Sequence, residues 1–335
     1  MKNKIRSSLC LLITLSVLSI SVGCGSPKTP ITIAISNWAG VEPAELAAQL
    51  GLYEKHGVQV IIKRFSAYSD SIDALRDGKV DAGMHTLDDA IRSYAANSNV
   101  SVVLLTDYSN GGDGLVAQPG IIKGQDLIGK KIGVEIGTVG HFSLLKILNI
   151  FKLQPTDVTV VSIPAWEIQD SMVKGEIDAG VTWEPFLSNT AQQVKGKVLV
   201  TSKEYPEMII TTMNFRKDVI KQRPEDVQNV VAAYFEAVDY LQSNPQDAYA
   251  RMAKAEGISA DEFALTVQRE LLPANLLDVC FRRQHGWWLF SCVLIKSGNE
   301  AVILLRLVAE VVEVLTEARL HALAGRVCVR AVGGA

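Results

Sequence analysis

The sequence predicts an α/β fold, because short β-like runs alternate with amphipathic helical stretches along most of the chain. The 335 residues are enough for two lobes with separate hydrophobic cores. A ten-residue pattern that ends a helix and begins a strand occurs twice, at 74–83 and at 171–180. Together these observations predict two similar α/β lobes, each built on a largely parallel sheet.

The N-terminal residues 1–24 predict export and lipid attachment. Three basic residues precede an apolar run at 9–20, which is shorter than the ~20 residues that a membrane-spanning helix needs. Small residues surround Cys24, as in the lipobox of bacterial lipoproteins, so Cys24 is predicted to carry the lipid and 25–30 to be a linker. The alternative is an ordinary cleaved signal, which Ser21 favours because an aliphatic residue usually stands at that place.

Charge and cysteine placement exclude several classes of partner and site. A net charge of −3 provides no basic surface for nucleic acid or for an anionic membrane. Because no cysteine lies between Gly25 and Val279, the main body has neither a disulfide framework nor a thiolate site. Apart from Cys10 and Cys24 in the N-terminal segment, the cysteines lie in the tail, at Cys280, Cys292 and Cys328.

The elements of the first lobe follow from the hydrophobic period and from turn residues. Gly57 is a plausible C-cap of the first helix. The predicted order is strand 31–35, helix 42–56, strand 58–65, helix 69–77, strand 80–84, helix 91–97 and strand 100–105.

The repeat predicts where a ligand would bind. In both copies a glycine, Gly78 or Gly175, ends a helix before a short strand, and the strands end at 84–86 and 181–183. Ligands of open α/β sheets bind outside the carboxyl ends of the strands, so two such units facing each other define a cleft. The alternative is that a common helix–glycine–strand turn occurs twice by coincidence.

Further motifs stand in a characteristic order from about Ile31 to Gln268. They are Trp38-Ala39-Gly40, 52–57, 78–83, 112–114, 126–134, 175–180 and 183–186. In this order and spacing the chain resembles the nitrate/sulfonate/taurine type of ABC substrate-binding proteins, which also includes binding proteins for thiamine pyrimidine precursors.

The resemblance implies a type II periplasmic-binding-protein fold, in which two lobes joined by two crossover strands close around a ligand by hinge motion. Lobe one is expected at 31–112 plus 216–277 and lobe two at 113–215, with crossovers near 113–117 and 209–215. The implied partners are a small-molecule ligand, an ABC permease and its ATPase. A monomer in the periplasm, or on the outer face of the cytoplasmic membrane, is expected.

Candidate ligand contacts in lobe one follow the predicted strands. Trp38 follows the first strand, where an indole would stack on a ligand; the alternative is a rim or core tryptophan. Ser66 and Tyr68 follow the second strand, although Ser69 or Asp70 there would also serve as a helix N-cap. His85 and Thr86 end the third strand, and a lone histidine is more often structural. The list of candidates is Trp38, Ser66, Tyr68, His85 and Thr86.

Lobe two contributes Asp113, Thr138, His141, Trp183 and Glu184 as candidates. The glycine-containing turn that holds Thr138 and His141 opens a helix near Phe142, and a helix N-terminus favours an anion. Such an end contributes only about 0.3–1 kcal/mol at exposed sites, whereas micromolar binding needs about 8 kcal/mol. The helix end would therefore orient an anion without holding it alone; the alternative is a plain strand-to-helix turn.

The predicted cleft is rich in carboxylates and poor in arginine. Asp113, Glu135 and Glu184 would accept hydrogen bonds from an aminated sulfonate such as taurine, an aminopyrimidine or a cationic amine, although Glu184 also suits a structural pair. The bidentate guanidinium expected for strong oxyanion capture is not evident. A small nitrogen- or sulfur-containing organic solute is therefore predicted.

An enzyme is the rival class. The body shows no Cys–His pair, Gly-x-Ser-x-Gly elbow or metal-ligand spacing, and the acids in His85-Thr86-Leu87-Asp88-Asp89 suit a helix first turn. No catalytic residue, cofactor or metal is therefore predicted. An exported enzyme on the same fold and a ligand-sensing partner of a membrane receptor remain the alternatives.

The tail, 278–335, departs from the rest of the chain. It clusters tryptophans and cysteines, and a predicted helix at 301–324 is apolar on nearly every side but carries too many charges for a natural membrane span. Two explanations are a lineage-specific extension and a reading-frame shift near Leu277. The frame shift is the preferred interpretation, and it would leave an exposed apolar patch on lobe one.

Overall fold

The computed structural model describes residues 29–270, 277–284 and 287–295. The predicted signal segment, Cys24 and the predicted helix at 301–324 lie outside these residues. Within the described ranges, no helix combines the length and the apolar character that a membrane span requires.

Strands of the main body form two five-stranded sheets of the same topology. The strands are β1 (Ile31–Ile35), β2 (Val60–Arg64), β3 (Ala82–Thr86), β4 (Val100–Tyr108), β5 (Asp113–Ala117), β6 (Lys131–Val134), β7 (Thr159–Ser162), β8 (Ala179–Trp183), β9 (Lys197–Thr201) and β10 (Ile210–Arg216). The first sheet has the order β2-β1-β3-β10-β4, and the second has the order β7-β6-β8-β5-β9. We call the first sheet with its helices lobe one and the second sheet with its helices lobe two.

The sheets are mixed rather than largely parallel, because each receives one strand from the crossing chain. β1 pairs in parallel with β2 and β3, and β6 pairs in parallel with β7 and β8. β10 is antiparallel to β3 and β4, and β5 is antiparallel to β8 and β9. The chain enters the second sheet between Tyr108 and Asp113 and returns between Thr201 and Ile210. The predicted two-lobed α/β fold is confirmed.

The helices cover the faces of these sheets. They are α1 (Glu42–Gln49), α2 (Leu52–Lys55), α3 (Tyr68–Arg76), α4 (Leu87–Ala95), α5 (Val139–Ile150), α6 (Ile168–Val173), α7 (Phe186–Gln193), α8 (Lys217–Gln222), α9 (Pro224–Ser243), α10 (Pro245–Glu256) and α11 (Ala260–Glu270). The alternate residues Ile31, Ile33 and Ile35 of β1 are fully buried, as expected for a central strand covered by helices. In the tail, β11 (Leu277–Gln284) and β12 (Trp287–Ile295) pair as an antiparallel hairpin.

The predicted helix 42–56 is two helices in the structure. Gly51 adopts the left-handed conformation with φ +67° and separates α1 from α2. A residue without a Cβ reaches this conformation at little steric cost, so the chain turns there. The helix predicted to begin near Ile91 begins earlier, at Leu87, so that Asp88 and Asp89 lie in its first turn, as expected from their sequence position.

The internal repeat is confirmed as a repeated structural unit. Gly78 and Gly175 have φ of +72° and +71°, and each follows a helix that leads into a fully buried strand, β3 or β8. The aspartate that directly precedes each strand, Asp81 or Asp178, makes the same type of hydrogen bond in both lobes. Oδ2 of Asp81 accepts a hydrogen bond from the Thr32 N–H at 2.9 Å, and Oδ2 of Asp178 accepts one from the Lys131 N–H at 2.8 Å. The same sequence pattern therefore builds the same strand contact in both lobes.

Candidate ligand-binding cleft

A cavity lies where strand ends of the two sheets face each other. It is narrow, with a volume of about 30 Å³. Both lobes line it, through Ser36, Trp38, Val41, Tyr68, Met84, His85, Thr86, Asp113, Val139, Trp183, Ile209 and Thr211. None of these lining residues in the described part of the chain is lysine or arginine.

The polar ends of the aromatic lining residues are engaged within the protein. The Trp38 Nε1–H donates to Asp107 at 3.2 Å, and the Trp183 Nε1–H donates to the Asn37 carbonyl at 2.8 Å. The Tyr68 hydroxyl donates to Asp89 at 2.5 Å. The three side chains therefore present ring surface, rather than free donors, to a ligand.

Asp107 fixes Trp38 from behind the cavity. Its buried carboxylate also accepts hydrogen bonds from Thr106 Oγ1 and Thr211 Oγ1, both at 2.9 Å, and burial raises the pKa of Asp107. A Cβ at Gly40 would lie 2.5 Å from Trp38 Nε1 and 2.6 Å from Asp107 Oδ1. Glycine at position 40 therefore permits this indole–carboxylate contact.

Asp89 holds Tyr68 and Thr86 together. Its Oδ2 accepts the Tyr68 hydroxyl and also the Thr86 hydroxyl at 2.6 Å, while the Thr86 N–H donates to Tyr68 Oη at 2.9 Å. The pKa of Asp89 is raised to about 7, chiefly by burial and also by the charge of Asp88, while the charge of Arg92 opposes both. Because both hydroxyl protons go to Asp89, Tyr68 and Thr86 have none left to donate to a ligand.

His85 is a neutral imidazole in this site. Burial lowers its pKa to about 3. Its Nε2 lies 3.1 Å from Ser71 Oγ, which itself lies 2.6 Å from the Tyr68 carbonyl. The single Ser71 hydroxyl proton goes to that carbonyl, so we assign the imidazole proton to Nε2. Nδ1 is then a hydrogen-bond acceptor.

Among the described lining residues, Asp113 alone carries a carboxyl group. The residue is only 4% exposed, and burial raises its pKa to about 7. Burial is the main cause of this raised pKa; a hydrogen bond with Ser109 opposes it, and the charges of Asp107 and Asp88 act in the same direction as burial. Asp113 thus gives the cavity a hydrogen-bond acceptor, and no lysine or arginine lies among the described lining residues.

Six of the ten predicted contacts line the cavity, and four lie elsewhere. Ser66 is exposed, and His141 is half-buried on α5. Thr138 is the N-cap of α5, where its Oγ1 accepts the Gly140 N–H at 3.2 Å. Glu184 accepts the Ser188 N–H at 3.0 Å in the first turn of α7. The six that the structure brings together are Trp38, Tyr68, His85, Thr86, Asp113 and Trp183.

Other lining residues were not among the candidates from the sequence. Met84 precedes His85 on β3 and directly follows the repeat, so the strand end itself was the available signal. Thr211 of β10 pairs with Thr86, just as Asp113 of β5 pairs with Trp183. The repeat relates these two pairs, so applying it to the crossing strands would have identified Thr211.

Hydrogen bonds across the cleft join the lobes directly. Besides Trp183 with Asn37, the Ser69 N–H donates to Glu135 Oε1 at 2.9 Å, and an Arg92 N–H donates to the Gly137 carbonyl at 3.1 Å. At the rim, Asn189 Nδ2 donates to Glu262 Oε1 at 3.1 Å. The structure therefore represents a closed arrangement of the two lobes.

The described residues contain no cluster of three or more histidine, cysteine or acidic side chains placed to hold a metal ion. The described lining of the cavity is mostly apolar, with aromatic rings and the carboxyl group of Asp113.

Comparisons with known proteins identify a family and similar sequences. The family model described as "NMT1/THI5 like" matches residues 39–248. The taurine-binding periplasmic protein of Escherichia coli K12 is 28% identical over 221 residues, which cover 64% of this chain and 68% of that protein. The 4-amino-5-hydroxymethyl-2-methylpyrimidine phosphate synthase of Schizosaccharomyces pombe is 32% identical over 160 residues, 44% of this chain and 43% of the synthase.

Among solved structures, the alkanesulfonate-binding protein SsuA of Xanthomonas axonopodis pv. citri, bound to MOPS, is similar with a TM-score of 0.65. The match covers 73% of this chain and 85% of that protein at 18% identity. This likeness concerns the fold.

Proposed function

The chain belongs to the NMT1/THI5-like family, and we propose that it is a substrate-binding protein that captures a small organic solute bearing N–H groups and delivers it to an ABC importer. The observation that carries this proposal is the lining of the cavity, which is mostly apolar and, among the described residues, carries one carboxyl group, that of Asp113. Asp113 and His85 offer acceptors, while the described lining contains no lysine or arginine. A solute that fits this pattern donates hydrogen bonds rather than bringing an unpaired negative charge.

The aromatic lining supports a compact, partly apolar solute. The rings of Tyr68 and Trp183 lie 5.9 Å apart between centroids at an interplanar angle of 67°. Because their polar ends and that of Trp38 are already hydrogen-bonded, they would contact the solute through ring surface. We propose that Trp38, Tyr68, His85, Thr86, Asp113 and Trp183 contact the solute.

The names of two relatives are consistent with this chemistry. Taurine and the 4-aminopyrimidine of the synthase both carry an amino group. A nitrate or a simple alkanesulfonate lacks such a group and would need a cation that the described lining does not provide. Aminopyrimidines and small amines are therefore the preferred solutes, with taurine as the sulfur-containing member of the same class.

We further propose that the protein is exported, is anchored through a lipid on Cys24 and acts as a monomer without catalysing a reaction. The predicted signal segment and the names of the periplasmic relatives support export. The proposed partners are a transmembrane permease and its cytoplasmic ATPase.

A thermal-shift series tests the proposal. A ligand that binds only the native state raises its unfolding midpoint by mass action. At a ligand concentration a hundredfold above Kd, the free energy of unfolding increases by about 2.7 kcal/mol. We expect 4-amino-2-methylpyrimidine, ethylamine or taurine to raise the midpoint, and nitrate and methanesulfonate to leave it unchanged. A Glu176→Ala variant, which removes an exposed charge, should respond as the wild type does. A shift with nitrate or methanesulfonate alone would refute the proposed solute class, and no shift with any probe would refute the function.

A further inference from the structure

The N-terminus of α3 has an unusual partner. Its N-cap residue is Ala67, which has no side-chain oxygen, and no side-chain hydrogen bond caps the helix from this position. The first N–H groups of a helix need acceptors, and the positive end of its dipole favours a negative charge. In this structure the acceptor comes from the other lobe, because the Ser69 N–H donates to Glu135 Oε1 at 2.9 Å.

Glu135 is buried as it makes this contact. It directly follows β6 and is only 6% exposed. Its second oxygen, Oε2, is buried without a hydrogen-bond partner among the described residues. A buried carboxylate oxygen without a partner is unfavourable, and a cap supplied from within lobe one would avoid this cost. Stability alone therefore does not account for a carboxylate at this place.

We propose that Glu135 determines solute specificity by acting as a built-in anion: when the lobes close, its carboxylate occupies the N-terminus of α3 and excludes anionic solutes from that helix end. The inference rests on the proposed function, which it narrows to solutes without an anionic group, so that taurine, which carries a sulfonate, is removed from the proposed class. A sulfonate or another anion drawn to the same N–H groups has to displace Glu135. A neutral or cationic solute beside Tyr68, the first residue of α3, leaves the contact intact.

Neighbouring hydrogen bonds place Glu135 at the interface between the two lobes. Gly137, two residues further along, accepts a hydrogen bond from Arg92 of lobe one at 3.1 Å. Tyr68 and Val139 line the cavity from opposite lobes close to this segment. The Glu135 contact is therefore one of the hydrogen bonds that join the two lobes beside the cavity, where it can affect which solutes are accepted.

Calorimetric titration of the full chain with methanesulfonate tests the proposal. Glu135→Ala vacates the helix end, Glu135→Gln retains an amide oxygen there, and Glu176→Ala removes an exposed charge of lobe two as the matched control. We expect Glu135→Ala to bind methanesulfonate at least tenfold more tightly than the wild type and Glu176→Ala. Glu135→Gln should gain less than Glu135→Ala, because it loses the charge but keeps an acceptor. No gain in Glu135→Ala, or an equal gain in Glu176→Ala, would overturn the proposal.

A second variant covers the case in which Glu135→Ala does not fold. Ala67→Asp supplies a carboxylate from lobe one at the N-cap, where it competes with Glu135 for the first N–H groups of α3. Small-angle scattering should then give a larger radius of gyration than that of the wild type, and an unchanged radius would overturn the proposal. Methanesulfonate binding is measured independently of any amine, so failure of the wild type to bind amines would refute the proposed function alone.

Discussion

Asp113 begins β5 and contributes a buried carboxyl group to the cavity lining, where its pKa is raised to about 7. Near neutral pH this group exists in both protonation states. The ionised form suits a cationic amine, and either form offers an oxygen that accepts an N–H.

Asp113→Asn tests this contact at the scale of one residue. Asparagine preserves the shape but replaces one acceptor oxygen with a donor, so we expect the affinity for ethylamine to fall at least tenfold in calorimetric titration. Glu184→Gln is the matched control, because Glu184 bonds to Ser188 and does not line the cavity. Equal losses in the two variants would contradict the assignment of Asp113 as the acceptor.

The same carboxyl group predicts a pH dependence of stability. The pKa of Asp113 rises on folding from 3.8 to about 7, so the folded state holds the proton more tightly. The stabilisation is fully present below about pH 4 and is lost as the pH rises through about 7. Asp89 contributes in the same direction.

We therefore expect the unfolding midpoint of the wild type to fall between about pH 5 and pH 8, and Asp113→Asn to show a weaker decline. Thermal melts at fixed ionic strength measure both slopes. An identical slope in the variant would show that Asp113 is not the titrating group.

How far the site was predictable depends on strand direction. Trp38, His85 and Trp183 were found because the carboxyl ends of parallel strands meet at one edge of a sheet. Ile209 and Thr211 were missed because β10 runs antiparallel to β3 and brings its amino end to that edge. The hydrophobic period indicates that a strand exists but not its direction. Glu135 was predicted as a cleft carboxylate, whereas its contact with α3 depends on lobe closure.

At the scale of elements, two glycines of the repeat, Gly175 and Gly180, are required for different physical reasons. Gly175 has φ +71°, and the space that a Cβ would occupy there is open, so its requirement is conformational. Gly180 lies on β8, where a Cβ would be 2.3 Å from Ile168 Cγ2, so its requirement is packing.

Alanine substitutions should separate these tasks. Gly175→Ala should destabilise the protein by about 1 kcal/mol through the left-handed backbone. Gly180→Ala should cost about 1–3 kcal/mol, because α6 has to move away from the sheet. Urea unfolding measures both changes, with the exposed Glu176→Ala as the control. A smaller effect at Gly180 than at Gly175 would contradict the packing account.

Substitutions of Thr138 test whether its hydroxyl caps a helix or contacts the solute. Its hydroxyl caps α5, so Thr138→Ala should lower stability by about 1 kcal/mol and leave the affinity for amine probes unchanged. Thr138→Ser retains the hydroxyl and should restore the stability. Melts and calorimetric titrations of the two variants decide between the roles; a loss of affinity at unchanged stability would mean that Thr138 contacts the solute.

At the scale of the whole molecule, the sequence repeat proved to extend further than the ten matched residues. Both sheets place their strands in the same order, and each inserts its crossing strand beside the strand of the repeat. The alternation of elements predicted the lobes, but the mixed pairing follows from the path of the chain between lobes. The hydrophobic pattern of one helix or strand gives no information about that path.

The atypical tail should be dispensable for solute capture. All the cavity-lining residues lie between Ser36 and Thr211, far in sequence from 278–335. A chain that ends at Glu270 should therefore bind amine probes with the affinity of the full chain, as measured by calorimetry, and should aggregate less in size-exclusion chromatography. A loss of affinity in a folded, monomeric sample of the shortened chain would show that the tail supports the cleft.

The most direct test of solute capture is calorimetric titration of the wild type with 4-amino-2-methylpyrimidine and, separately, with methanesulfonate at about pH 7.5. The acceptor-lined cavity predicts saturable binding of one aminopyrimidine per chain and no measurable heat of binding with methanesulfonate. Binding of methanesulfonate without binding of the aminopyrimidine would contradict the proposed recognition of N–H groups by Asp113 and His85.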